Sequence, residues 1–334
     1  MGHPASPLVR RVMVIVGVAT IASLILHISI GSYAWYSPAE IIAALFGQGS
    51  DQAVATVWNL RLPRGLAAGL AGGVLGVTGA MFQSALRNPL SDPFVLGSSS
   101  GAALGGAVAL ILGLGSAFGG LGLMLSAGAG GILVLALSLL LARSFKPATS
   151  STLLLGGMAV GSMVAGLLSV VLILAKQDAN RILRWLFGST SSAEWAQIPW
   201  LAGALILAVF VAIRKGRALN ALSLGDSTAA HLGVDTRTLV PILLAAGTIA
   251  TSISVGCVGM IGFVGLIAPH MARLTVGADM RRAGGLSAMI GATMLLLSDI
   301  LAQRLVGVIE IPVGAVTAAL GAPFFLWILS RKSA

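Results

Sequence analysis

The chain has 334 residues, of which 57% are hydrophobic and only 9% are charged. Soluble domains carry about 25% charged residues, so this composition, with a mean hydropathy of +1.00, excludes a soluble globular protein and predicts a polytopic membrane protein. The 20 basic residues outnumber the 10 acidic ones. They lie at the ends of apolar runs, so they indicate membrane topology and contact with lipid rather than a nucleic-acid partner. Cys257 is the single cysteine and the four histidines are scattered. We therefore expect no metal site and no bound cofactor.

Ten apolar runs follow one another along the chain, each close to the length of about 20 residues that a helix needs to cross a bilayer. They cover residues 12–30, 65–85, 94–113, 118–142, 152–175, 197–213, 238–258, 260–274, 283–302 and 313–330. The pattern predicts an all-α fold, a polytopic membrane protein in which residues 1–334 form a single transmembrane domain of about ten transmembrane helices.

The basic residues fall unequally on the two sides that ten crossings would create. One side receives Arg10, Arg11, Arg87, Arg143, Lys146, Arg214, Lys215, Arg217, Arg237, Arg273, Arg281, Arg282, Arg331 and Lys332. The other side receives only Arg61, Arg64, Lys176, Arg181, Arg184 and Arg304. Because positively charged loops stay in the cytoplasm, we expect both termini to be cytoplasmic in a multi-pass membrane protein.

Motifs that would supply energy for transport are missing from the sequence. It contains no Gly-x-x-x-x-Gly-Lys-Ser/Thr loop for ATP, so we expect no catalytic residues, no enzymatic activity and no ATPase of its own. Asp299 is the clearest ionisable residue inside an apolar run, whereas ion-coupled carriers usually place several there. A membrane subunit that is driven by a separate ATPase is favoured, and a stand-alone secondary carrier or channel is the alternative.

The longest polar stretch on the basic side is residues 214–237. Residues 218–224 and 227–232 predict two short amphipathic helices that meet at Gly225-Asp226, and Gly233 is a typical helix stop. Two interpretations remain open at this point. The segment is either a solvated loop on the membrane surface or a docking element for a cytoplasmic partner.

Several motifs resemble those of the FecCD-type permeases, the membrane subunits of ABC importers for vitamin B12, haem and ferric siderophores. They run along nearly the whole chain: RLPRGLAAGLAGGVLGVTGAMFQSALRNPLSDPFVLGSSSGAALG at 61–105, TSSTLLLGGMAVG at 149–161, RWLFGSTSSAEW at 184–195, ALSLGDSTAAHLGVD at 221–235, GFVGLIAPHMARLTVGADMRR at 262–282 and EIPVGAVTAALGAPFFLWIL at 310–329. The number, order and spacing of these motifs make the resemblance specific to the family. It implies the type II ABC importer permease architecture.

The resemblance also implies partners and a cargo. A homodimer with a second copy of the chain would enclose one translocation path, and two cytoplasmic ABC ATPase subunits would dock on the 214–237 loop. A periplasmic substrate-binding protein would deliver a bulky metal chelate: a ferric siderophore, haem or cobalamin. The residues implied in coupling to the ATPase are Leu222, Leu224, Gly225, Asp226, Ala230, Leu232 and Gly233.

Arg61 and Arg64 lie on the side that the positive-inside rule disfavours, and their i, i+3 spacing places them on one helix face. By resemblance they are sockets for acidic residues of the binding protein; interfacial snorkelling is the structural alternative. A third family arginine would fall at Gln303, which Arg304 follows. Arg304 is therefore a candidate third socket.

Asn88, Leu90, Thr149 and Ser150 lie on the basic side and, by resemblance, form a cytoplasmic gate where two copies meet. Asn-Pro is a turn signal and Thr-Ser a common helix N-cap, so a purely structural role is the alternative. We expect Asp299 to pair with a basic or hydroxyl group; a structural polar anchor is the alternative. We also expect glycine-rich faces, such as Gly69, Gly73, Gly76, Gly101 and Gly105, to be packing seams.

Overall fold

A computed structural model describes residues 7–31, 35–94, 96–116, 120–145, 150–306 and 310–332. Within these ranges the chain is helical and contains no strand longer than an isolated bridge, so the all-α prediction is confirmed. The α-helices are α1 Pro7–Ser29, α2 Pro38–Leu45, α3 Asp51–Thr56, α4 Leu62–Ala85, α5 Ser98–Ile111, α6 Leu121–Ser144, α7 Ser150–Leu174, α8 Ala179–Leu186, α9 Ile198–Arg214, α10 Gly216–Ser223, α11 Asp226–His231, α12 Thr236–Val258, α13 Val264–Val276, α14 Met280–Arg304 and α15 Val313–Lys332.

Ten of these helices coincide with the ten apolar runs of the sequence. Seven helical segments among the described residues are long and apolar enough to cross a membrane. Helices α5 and α13 are shorter, at 14 and 13 residues. The predicted positions are thus confirmed, with boundaries that shift by a few residues, while α5 and α13 are shorter than a full crossing.

Helix α4 lies at the centre of the bundle and is buried along most of its length. Its glycines bring neighbouring backbones close: a Cβ atom at Gly76 would collide with the carbonyl of Ser287 on α14. Gly72 and Gly291 face each other reciprocally across the same seam, as Gly101 and Gly130 do between α5 and α6. Small residues allow this approach, which supplies the dispersion contacts that hold helices together in lipid. The predicted packing seams are confirmed at Gly76 and Gly101.

The segment before α4 is more helical than the apolar runs indicate. A capping box between Ser37 and Glu40 begins α2, and α3 continues through a π-helical turn, Val57–Arg61, directly into α4. The backbone hydrogen bond from Ser37 lowers the pKa of the Glu40 carboxyl.

Helix α4 also defines two ends of the bundle, which are named here the Arg64 end and the Arg87 end. Its 24 residues span about 36 Å at 1.5 Å per residue. The C-terminal parts of α1 and α14 and the loop after α8 lie at the Arg64 end. The start of α7 and helix α11 lie at the Arg87 end.

Candidate functional site

Arg64 and Asp299 form the centre of a charged cluster at the Arg64 end. The Arg64 guanidinium donates from Nε to Asp299 Oδ2 at 2.8 Å and from Nη2 to Oδ1 at 3.1 Å. Its Nη1 donates to both carboxylate oxygens of Glu310, each at 3.0 Å. Asp299 is 1% exposed and Glu310 is 31% exposed. Arg64 therefore joins a deeply buried carboxylate to a carboxylate that reaches solvent.

Three further side chains bind Asp299. Thr190 Oγ1 donates to Oδ1 at 2.6 Å, and Gln303 Nε2 donates to Oδ2 at 3.1 Å. His27 Nε2 lies 2.7 Å from Oδ2. The predicted pairing of Asp299 with basic and hydroxyl groups is confirmed. The sequence could not name these partners, because His27 and Arg64 lie 272 and 235 positions away from Asp299 along the chain.

Arg61 occupies a different setting from Arg64, although the two lie three residues apart. It is buried, donates from Nη1 to the carbonyls of Ile28 and Ser29 at 2.9 and 2.8 Å, and stacks over the Tyr36 ring at 4.5 Å. A snorkelling side chain would place its charged head in water, whereas this guanidinium binds backbone oxygens.

Arg304 differs from both of these arginines. It ends α14 and is exposed. Arg61 and Arg64 line one cleft of about 500 Å³, together with Glu310 and Gln303. The three candidate docking arginines thus share one end of the bundle, but only Arg304 presents an exposed side chain.

At the Arg87 end, a smaller set of polar contacts joins three separate segments. Arg87 Nη2 donates to Asp226 Oδ2 at 2.5 Å and to Ser150 Oγ at 3.3 Å. Arg87 itself has a left-handed backbone with φ of 53°, which non-glycine residues adopt rarely. From the sequence, Arg87 was identified only as a basic residue that indicates membrane topology. The structure shows that it connects a predicted gate residue to a predicted coupling residue.

The two short helices expected around Gly225 are present as α10 and α11. Gly225 has φ of 109° and ψ of 157°, a conformation that is nearly restricted to glycine. Leu219 and Leu222 of α10 are fully buried, whereas Leu224 and Leu232 are 66% and 62% exposed. Asp226, Ala230 and Gly233 are also exposed. Two buried leucines therefore anchor the pair, and two other leucines are presented outward.

The remaining candidate gate residues form a turn between α4 and α5. Asn88 Oδ1 accepts a hydrogen bond from the Leu90 backbone N–H at 2.9 Å, and the Leu90 side chain is 44% exposed. Ser150 is the first residue of α7. Thr149 lies outside the described residues. Within the described part of the chain, no three His, Cys, Asp or Glu side chains are grouped so that they could hold a metal ion.

The chain is similar along nearly its whole length to known ABC transporter permeases. The chain is 37% identical over 335 residues to an uncharacterized ABC transporter permease, YvrB of Bacillus subtilis, covering 97% of this chain and 94% of that protein. It is 34% identical to the vitamin B12 import system permease BtuC of Escherichia coli O157:H7, covering 96% and 95%. A solved inward-facing structure of an ABC transporter classed as the metal-chelate type superimposes with a TM-score of 0.85 at 29% identity, over 96% of this chain and 99% of that chain.

The family profile covers nearly the whole chain. The sequence profile of the FecCD transport family matches residues 19–331. All ten apolar helices start or end within that stretch. The chain therefore belongs to the FecCD transport family and is an ABC importer permease.

Proposed function

We propose that the chain imports a bulky metal chelate (a ferric siderophore, haem or cobalamin) across a bacterial inner membrane, as a homodimer driven by two cytoplasmic ABC ATPase subunits. The observation that carries this proposal is the α10–α11 pair. It projects the exposed Leu224 and Leu232 from the end that bears most of the basic residues, which the positive-inside rule assigns to the cytoplasm. Exposed leucines on a short, internally anchored helix pair suit insertion into a groove of a soluble partner.

The gate proposal rests on the contacts of Arg87. Movement of α11 would pull on Asp226, and through Arg87 on the turn that holds Asn88 and on Ser150 at the start of α7. In a homodimer, residues close to the two-fold axis meet their own copies. Asn88, Leu90, Thr149 and Ser150 would then close the path on the cytoplasmic side, and ATP binding in the partner would open it.

The outer docking proposal follows from the charges at the Arg64 end. Arg304 is exposed and can receive a carboxylate of a periplasmic binding protein directly. Arg64 can do so only on its outward side, where Glu310 now accepts both hydrogen bonds from Nη1. Arg61 contributes positive charge beneath the surface. Charge complementarity of this kind mainly sets docking register and the association rate.

Reconstitution tests the proposed function and its alternative together. The permease would be placed in proteoliposomes alone, with its ATPase, and with both ATPase and binding protein, and uptake of radiolabelled ferric siderophore, haem and cobalamin would be compared. We expect accumulation only in the complete, ATP-supplied system. Accumulation by the permease alone, driven by an ion gradient, would favour the stand-alone carrier.

A further inference from the structure

Helix α2 carries apolar side chains on two opposite faces. On the inner face, Ile41 is buried in a cluster with Ile28 of α1. On the outer face, Ile42 and Phe46 are 56% and 79% exposed. Glu40 is the one charged residue in the sequence of α2, and the capping box at the start of the helix holds its carboxylate. A helix that is apolar all round is normally buried on all sides, so the outer face of α2 needs an apolar cover.

Hydrogen bonds to the backbone fix α2 against the end of α1. Arg61 donates to the carbonyls of Ile28 and Ser29, which belong to the last turn of α1 and have no partner inside that helix. Trp58 Nε1 donates to the carbonyl of Ala44, near the end of α2, at 3.2 Å. The position of α2 is therefore set by the bundle, and its outer face is held outward.

The length of α1 places α2 at one edge of the bilayer core. Arg11 lies near the start of α1, which the positive-inside rule assigns to the cytoplasmic interface. Ile28 lies about 26 Å further along the axis at 1.5 Å per residue, and the hydrocarbon core is about 30 Å thick. Ile28 and the part of α2 that packs on it thus lie at the opposite boundary of the core. Ile21 and Ile25 of α1 are exposed, so an apolar surface leads up to α2.

Exposed tryptophans surround α2 at the same end of the bundle. Trp35 precedes α2, Trp58 contacts its last turn, and Trp195 and Trp200 lie at the start of α9 and just before it; all four are exposed. Trp195 Nε1 donates to the Trp58 carbonyl at 2.8 Å, and the two ring centroids are 5.8 Å apart. Tryptophan is enriched at membrane–water interfaces, because its ring is apolar and its N–H is polar. The tryptophans therefore indicate that the interface lies at the level of α2.

We propose that α2 is an interfacial helix whose Ile42 and Phe46 insert among the acyl chains of the leaflet on the side of the Arg64 end. Interfacial helices bury their apolar face about 5–10 Å into the boundary between headgroups and acyl chains. Lipid at this depth supplies the apolar cover that the outer face needs, and it continues the lipid contact of α1. The helix would hold the segment that leads to Arg61 and Arg64 at a fixed depth in the membrane. This inference concerns lipid contact and is independent of the proposed cargo.

Spin labels on the full-length permease measure this depth. Ile42→Cys and Phe46→Cys would be made separately in a Cys257→Ser background, labelled with a nitroxide and placed in nanodiscs of phosphatidylcholine. Collisions with oxygen, which concentrates among acyl chains, are compared with collisions with a water-soluble nickel chelate. We expect both labels to favour oxygen, at a depth of about 5–10 Å below the headgroups. Gln48→Cys is the matched control in the polar loop after α2 and should favour the nickel chelate.

The same labels identify any other occupant of this face. A label at Phe46→Cys that favours the nickel chelate as strongly as Gln48→Cys does would overturn the proposal, because the face would then lie in water. Dipolar broadening between labels on two copies would assign the face to a second copy of the chain. Loss of nickel accessibility only after addition of the periplasmic binding protein would assign the face to that partner. Either result would also overturn the proposal.

A charge placed on the outer face gives a second, independent measurement. Phe46→Asp should lower the ratio of oxygen to nickel accessibility severalfold for a label at Ile42→Cys, because a carboxylate resists insertion among acyl chains. Gln48→Asp adds the same charge in the loop and should leave this ratio unchanged. Phe46 is exposed within the chain itself, so its substitution should not prevent folding. An unchanged ratio in the Phe46→Asp variant would overturn the insertion of α2.

Discussion

The Arg64 end and the Arg87 end organise their charges in opposite ways. At the Arg64 end, one buried carboxylate, Asp299, is bound by side chains from α1, α4, α14 and the loop after α8. At the Arg87 end, a partly exposed ion pair links a turn to α11, with side-chain exposures of 29% and 57% for Arg87 and Asp226. Breaking a buried pair costs far more than breaking an exposed one. The first end is therefore built to hold its helices in place, and the second can rearrange at little cost.

The largest loss of stability is expected from Asp299→Ala, because this substitution removes the buried carboxylate at the centre of the Arg64 end. Removal of this carboxylate leaves the partly buried Arg64 with only Glu310 and leaves His27 without its acceptor. Loss of one partner of a buried ion pair typically costs about 3–5 kcal/mol. We expect a loss of that order in the free energy of unfolding, measured by denaturant titration of the purified permease in detergent micelles.

Glu310→Gln is the matched control for this prediction. It removes a carboxylate from the same arginine, but Glu310 is 31% exposed, so the cost should be about 1 kcal/mol or less. Equal losses in the free energy of unfolding for the two variants would mean that the burial of Asp299 does not make it more important for stability than Glu310.

The sequence predicted the parts of this architecture that depend on local pattern. Apolar runs placed the ten helices, and the glycine at position 225 marked the break between α10 and α11. Polar residues at both ends were also recognised. Their contacts were not, because His27, Arg64 and Thr190 reach Asp299 only after distant helices pack together. Helices α2 and α3 were missed because, at eight and six residues, they are too short to be recognised as membrane-length apolar runs, although Ser37 and Glu40 have capping-box spacing.

A smaller effect is expected from Gly225→Ala at the Arg87 end. The backbone at φ 109° and ψ 157° is strained by about 1–3 kcal/mol for a residue that carries a Cβ atom, although the space around Gly225 is open. The strain should loosen α10 and α11 locally. We expect faster amide hydrogen exchange across residues 216–231 and weaker coupling between ATP hydrolysis and transport, with global unfolding little changed.

Gly203→Ala provides the comparison for this variant. Gly203 lies inside α9, where an added methyl group would meet no other side chain or backbone within 4 Å, and alanine is a better helix former than glycine. Hydrogen exchange and coupling should therefore match wild type. A Gly225→Ala variant that also matches wild type in both measurements would show that the left-handed geometry is not needed for coupling.

Substitutions of exposed charges at the Arg64 end should change the affinity for the periplasmic partner only modestly, because exposed ion pairs contribute about 0.2–1 kcal/mol each. Arg304→Gln should weaken binding of the periplasmic partner a few-fold. Glu310→Gln should strengthen it by a similar factor, since Nη1 of Arg64 is then released for a carboxylate of the partner. Both effects should shrink as salt rises. Surface plasmon resonance of the binding protein on immobilised nanodiscs measures them, and Glu310→Gln without effect would leave Arg64 out of docking.

The smallest effect on stability is expected from the Arg87–Asp226 pair, and here the functional effect should exceed the structural one. Arg87→Gln and Asp226→Asn should each change the free energy of unfolding by about 1 kcal/mol or less. Each should nevertheless reduce transport per ATP hydrolysed, because the pair joins the turn at Asn88 to the proposed ATPase-docking helix. Exchange of the charges, Arg87→Asp with Asp226→Arg, tests the link directly. Recovery of coupling above either charge-reversed single variant would identify the ion pair as the connection, since a double-mutant cycle isolates the pairwise term. No recovery, with coupling at wild-type levels in both neutral variants, would mean that motion reaches the gate through helix packing alone.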